Sequence, residues 1–211
     1  MRQDKDHINS LIDPAKNIAI ISARHGTDGV AAAIALAEYI NDKYGKNPTV
    51  IYPFDQVEFN NELLMIRNVN SDLGTVSLKI ALDYSGTNIE SVDYHKEDES
   101  KLILEIGPVE RDFSMDRVKY ELNGTSYDLI ITIGAPNLAS LGDFYLKSKS
   151  AFDKADIINI DNAVNNENFG KINIVNPIAL NLSTLILTKF GEWEYTPGKL
   201  AAKSLLIGLD G

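Results

Sequence analysis

NIAIISARHGTDGVAAAIALAEYINDKYG, residues 17–45, changes its period part-way along. The first seven residues are an apolar run bounded by polar ones, the pattern of a strand covered on both faces. After RHGTDG, residues 30–45 carry alanines, apolar residues spaced by three and four, and Gly45 where a helix C-cap belongs. PTVIYPF, residues 48–54, supplies a second strand. Residues 17–54 therefore read as a βαβ unit, a connection that is right-handed as a rule.

The same alternation continues outward. YDLIITIGAP (127–136) and ADIINID (155–161) return to the buried-strand pattern, and LASLGDFYLKSKSAFDKA (138–155) lies between them as a helix. Residues 5–14 read as a short helix, and DQVEFNNELLMIRNV (55–69) begins another. PIALNLSTLILTKFG (177–191) is an amphipathic helix, and PGKLAAKSLLIGLDG (197–211) is helical until Gly208. GTVSLKIALDYSG, NIESVDYHKED and SKLILEIGP break the pattern. Their β-branched and aromatic residues partly alternate between turn residues, which predicts a three-stranded antiparallel insertion over about 74–107. RDFSMDRVKYELNGTS, 111–126, is ambiguous, with Asn123-Gly124 marking a turn. The expected fold class is α/β: a three-layer α/β/α domain over residues 1–211 with a mostly parallel central sheet, plus the β insertion.

Composition narrows the chemistry. The formal charge is −10, so the surface repels phosphate backbones and a nucleic-acid partner is not expected. The chain has no cysteine, which excludes disulfides, thiolate zinc sites and a cysteine nucleophile, and fits a reducing cytoplasm. With three histidines, His7, His25 and His95, metal binding would lean on carboxylates. MRQDKDHINSLIDPAKN lacks the features of a signal peptide, and no apolar run reaches membrane-span length, so a cytoplasmic protein is expected.

In parallel sheets ligands sit beyond the carboxyl ends of the strands, which singles out ARHGTDG, TIGAPN and IDNAVNN. In order and spacing these resemble the motifs of the DHH family of phosphoesterases, which includes the RecJ exonucleases and the nanoRNase and pAp phosphatase branch. IDNAVNNENFGKINIVNP carries the sharpest match: the family's Asp-His-His-Pro-Ser-Asn-x-x-Phe-Gly-x-Ile-Asn-x-Val-x-Pro retains Asp161, Asn166, Phe169, Gly170, Ile172, Asn173, Val175 and Pro177. TDGVAAAIAL resembles the first motif, with Asp28 on its second aspartate. The match covers about 150 of the 211 residues and leaves out the insertion.

The resemblance implies two-metal hydrolysis, usually with manganese, in which two cations activate a water and hold phosphoryl oxygens. Most of the ligand set that this requires is replaced here. The family's earlier aspartate falls on Gly26 and its histidine on Ser22; the second motif's aspartate falls on Gly134; the paired histidines fall on Asn162 and Ala163. On the resemblance, residue 211 falls just before the final aspartate, and no counterpart of the family's C-terminal substrate-binding domain is expected within residues 1–211. Asn, Gly, Ala and Ser offer neither the charge nor the imidazole donors for two adjacent divalent ions.

The candidate residues each carry two readings. Asp28 is either a residual metal ligand or the N-cap of the helix at Val30; with His25 it also forms an H-x-x-D pair able to hold one ion. Arg24, Gly26 and Gly29 are candidates for an anion cradle at a helix N-terminus. Asp161 is either a metal ligand or a hydrogen-bond acceptor for the following turn. Asn162, Asn165, Asn166 and Asn168 are either a polar lining or turn residues. Trp193 either anchors a partner domain or caps the last helix pair. Residues expected to touch a ligand are Arg24, His25, Gly26, Asp28, Gly134, Asn162 and Asn166, with Asp28 and Asp161 as the remnant metal ligands.

The favoured expectation is a phosphoesterase-like protein that has lost metal-dependent hydrolysis, needs no cofactor, and serves as a binding or structural module. Its expected partners are a nucleotide or phosphate in the cleft, a protein on the β insertion, or a second copy paired there in a homodimer. The alternative is an active phosphoesterase on short oligonucleotides, pAp or cyclic dinucleotides, with manganese or magnesium in an atypical site at which His25, Asp28 and Asp161 converge.

Overall fold

In the computed structural model Ile18–Ser22 forms β1, with all five residues buried. Residues 2–24, 26–54, 59–74, 77–86, 88–109, 113–124 and 126–210 are described. His25 lies outside them, as does part of the segment expected to be helical from residue 55. The described chain divides into two compact units, residues 1–74 with 125–211, and residues 75–124.

In the first unit, α1 (Arg2–Ile12) precedes β1, which is followed by α2 (Thr27–Tyr44), β2 (Thr49–Ile51), a 3-10 turn at Asn61–Met65 and β3 (Val69–Asn70). The second unit holds β4 (Ser77–Leu82), β5 (Ser91–Lys96), β6 (Leu102–Gly107) and β7 (Val118–Asn123). The chain returns to the first unit with β8 (Leu129–Ile133), α3 (Asp143–Phe152), β9 (Asp156–Asp161), β10 (Ile172–Val175), α4 (Leu182–Glu192) and α5 (Lys199–Asp210).

Six strands pair in parallel in the order β10-β9-β8-β1-β2-β3. The chain runs outward from β1 in one direction and from β8 in the other, so the crevice of the sheet opens between the ends of these two neighbours. Alternate residues of β1 feed opposite cores: Ile18 and Ile20 pack with α1, α2, α4 and α5, whereas Ala19 and Ile21 pack with Phe152 of α3. This is the expected α/β arrangement, a mostly parallel sheet between helices. Among the described residues no helix is long and apolar enough to cross a membrane.

Helix α2 is buried from Gly29 to Ile40, between the sheet and the α4–α5 pair. Its alanines allow that double coverage, because a helix packed on two sides needs small residues where backbones approach. Tyr39 packs against Phe190 and Trp193 at ring-centroid distances of 5.4 and 5.1 Å, and against Tyr195 at 4.9 Å. Trp193 is thus a core residue at the end of α4. Burial holds the Tyr39 hydroxyl above the ordinary tyrosine range and, with the bond to Asp42, raises Tyr195 to about 12.

Two readings of the sequence are corrected here. Helix α5 does not stop at Gly208 but continues to Asp210. A Cβ there would overlap the Ser183 hydroxyl and come within 2.7 Å of Ala31 Cβ, so the glycine serves the close approach of α5 to α2 and α4. The insertion is longer than 74–107 and is not a three-stranded sheet. Its strands pair as two antiparallel ribbons, β4 with β7 and β5 with β6. The partner of β4 comes from the ambiguous segment 118–123, where non-local pairing decided what local pattern left open.

Candidate functional site

The chain leaves β1 at Ala23 and β8 at Gly134, on either side of the crevice, and Asp161 closes the neighbouring strand β9. Arg24, the second residue past β1, turns its side chain across the crevice. Its Nη2 donates to Asp161 Oδ1 at 3.1 Å and its Nη1 to Asn162 Oδ1 at 2.6 Å. The Asp161 side chain is fully buried, whereas that of Arg24 is 36% exposed. A buried carboxylate is costly without a counter-charge and full hydrogen bonding, and Asp161 has both. Oδ1 also accepts from the Asn162 backbone N–H at 2.8 Å, and Oδ2 accepts from Asn166 Nδ2 at 2.8 Å.

Asn166 is the centre of a polar network. Its Nδ2 donates to Ala135 O and Asp161 Oδ2, and its Oδ1 accepts from Asn159 Nδ2 and the Asn168 N–H, all within 2.9 Å. Two donors and two acceptor positions are the full capacity of an amide. Asn159 in turn accepts from Thr132 Oγ1, both residues being fully buried inside strands. The network therefore ties β8, β9 and the 161–168 loop together below the surface. Sequence reasoning missed Asn159 and Thr132; a polar residue in the middle of each buried-strand pattern was the available signal.

Asp28 does not cap α2 as its position in the sequence suggested. The N-cap of α2 is Gly26, without a side-chain capping bond. The Asp28 carboxylate reaches instead to the start of α4, where Oδ2 accepts from Leu182 N and Oδ1 from Ser183 N, both at 2.8 Å. Asn181 caps the next amide, Thr184 N. Three of the four free N–H groups that open a helix are thus answered, and a negative charge sits at the positive end of the dipole.

Gly134 lies against the same groups. Its φ of 79° belongs to the left-handed region that favours glycine, and a Cβ would stand 2.8 Å from Leu182 Cδ1 and 3.0 Å from Arg24 Cβ. The place where a longer side chain would project is filled by Arg24 and Leu182. Gly26 faces open space, and its N–H donates to the Tyr52 hydroxyl at 3.3 Å.

Arg24, Asp161, Asn162 and Asn166 are thus brought together, with Gly134 beside Arg24 and Asp28 linked to the group through Leu182. Among the described residues no group of three His, Cys, Asp or Glu side chains is placed to hold a metal ion. The retained motif residues beyond Asp161 hold the turn. Asn173 exchanges two hydrogen bonds with the backbone of Gly170, at 2.9 and 2.7 Å, and a Cβ on Gly170 would come within 2.9 Å of Asn159 N. Phe169 packs on the α3-side core and Ile172 on the opposite one.

No family model matches the sequence, and no curated protein matches it. Solved structures do match its backbone. An exopolyphosphatase-related protein from Bacteroides fragilis superposes with a TM-score of 0.60 over 99% of this chain, at 16% identity. The chain shares the fold of that protein. It spans 49% of that protein, about half its length, and at this identity the likeness is one of fold alone.

Proposed function

We propose that this chain is a DHH-type phosphoesterase scaffold that no longer carries out two-metal hydrolysis and acts as a binding or structural module. The observation that carries the reading is the Arg24 guanidinium on the buried carboxylate of Asp161. Where the resemblance expects a metal cation to balance that aspartate, this chain supplies a cation of its own. The donor set does not fit a dinuclear centre. Both Asp161 oxygens are engaged by Arg24, Asn162 N and Asn166, and both Asp28 oxygens by the first amides of α4. Ser22, Gly26, Gly134, Asn162 and Ala163 bring no charge to replace the missing ligands. Arg24, part-exposed beside Asn162 at the mouth of the crevice, is the residue we assign to contact a phosphate or nucleotide, since guanidinium groups suit phosphate oxygens.

The test is turnover. Purified chain with manganese or magnesium is expected to release no product from short oligonucleotides, pAp or cyclic dinucleotides above a protein-free blank. Metal-dependent hydrolysis that disappears in Asp28→Asn and in Asp161→Asn, each still folded, would overturn the proposal.

A further inference from the structure

We infer that the unit formed by residues 75–124 is a self-association surface, and that a second copy of this chain covers it. In both ribbons the register places apolar side chains opposite one another on a single face. Ile80 faces Tyr120 and Leu82 faces Val118 across β4–β7, while Val92 faces Ile106 and Tyr94 faces Leu104 across β5–β6. The opposite faces are more polar: Lys79 pairs with Glu121 across one ribbon and Asp93 stands opposite Glu105 in the other, with Ala81 and Ile103 the apolar residues among them. Such alternation is what a sheet shows when one face is buried. Here the apolar faces are open, with Tyr94 76% and Tyr120 80% exposed and Leu78, Val92 and Leu102 also largely exposed.

Three arguments point to a second copy. A two-stranded ribbon is marginal in water unless its apolar face is covered. The exposed apolar side chains of each ribbon offer on the order of 400 Å² at areas typical of such residues, so a copy that covers both ribbons buries about what one partner brings to a standard interface. A chain of net charge −10 repels its own copy over most of its surface. Within the paired strands the apolar faces carry one charged residue, Lys96 at the end of β5, and each presents one exposed tyrosine, a residue type enriched in interface cores. A symmetric pair can join them without opposing carboxylates.

The inference deepens the binding-module reading by naming the surface and the partner. A monomer without turnover would remove this inference alone, and a dimer with turnover would remove that reading alone. Sedimentation equilibrium of the full chain tests it. The wild-type protein is expected at twice its 23.3 kDa mass. Tyr94→Glu and Tyr120→Glu, one in each ribbon, are each expected to raise the dimer dissociation constant about tenfold or more. Lys119→Glu, on the polar face of β7, is expected to leave it unchanged, and circular dichroism should show all three folded. A wild-type monomer at every attainable concentration would overturn the proposal and leave these faces to a different protein. A dimer that persists unchanged in both tyrosine variants would overturn it as well.

Discussion

Asp161→Ala is expected to lower the unfolding free energy by about 3 kcal/mol, and with it the melting midpoint by on the order of 10 °C. The direction matters more than the size. Carboxylates gathered to hold metal repel one another in the metal-free protein, so removing one tends to stabilise the fold at the expense of activity. Asp161 has no carboxylate beside it among its hydrogen-bond partners; it has Arg24, the Asn162 amide and Asn166. Alanine leaves two buried donors without an acceptor and the Arg24 guanidinium without its counter-charge. Arg24→Ala is expected to act in the same direction, moderated by solvent because its side chain is part-exposed. The double variant should cost clearly less than the sum of the two, since each single change already breaks the same contact. A thermal or denaturant melt of the three variants reads this directly, and a gain in stability on removing Asp161 would contradict the structural role assigned to it.

Gly208→Val is expected to destabilise by about 3 kcal/mol, through packing instead of charge. The glycine lies where α5 meets α2 and α4, and its missing side chain is the space occupied by the Ser183 hydroxyl and the Ala31 methyl. A branched side chain there must push α5 off α2 or turn the Ser183 hydroxyl away from the Asp28 backbone carbonyl, to which it donates at 3.4 Å. Gly191→Ala, made on α4 where a Cβ meets nothing within 4 Å, serves as the control and should be neutral or mildly stabilising. Urea melts of both variants distinguish a demand of tertiary packing from general sensitivity of these helices to glycine replacement.

Gly208 also shows where the sequence was legible and where it was not. Local pattern read it as a helix end, because glycine is a usual terminator. What it does depends on two helices distant in sequence. The buried strands and α2 were legible because their signal, an apolar run or a spacing of three and four, lies within one element. The β4–β7 ribbon was not, because its partners stand 36 residues or more apart, as in the pairing of Leu82 with Val118. The site divides in the same way. That the loops after β1, β8 and β9 meet was readable from the order of strands and helices. That Asp28 caps α4 and Asn166 bridges Asn159 to Asp161 was not, since both roles are set by contacts made only in the folded chain. The resemblance drew attention to the replaced ligands; the geometry adds that the retained residues Asp161, Asn166, Gly170 and Asn173 are those on which the turn after β9 depends.

The central claim is that Asp28 and Asp161 serve the scaffold and not a metal. Calorimetric titration of manganese into the purified wild-type chain, with Asp28→Ala and Asp161→Ala alongside, tests it most directly. The account predicts no saturable heat in any of the three proteins. Saturable binding to the wild-type chain that is lost in both folded variants would contradict it, and would return the crevice between β1 and β8 to metal-dependent chemistry.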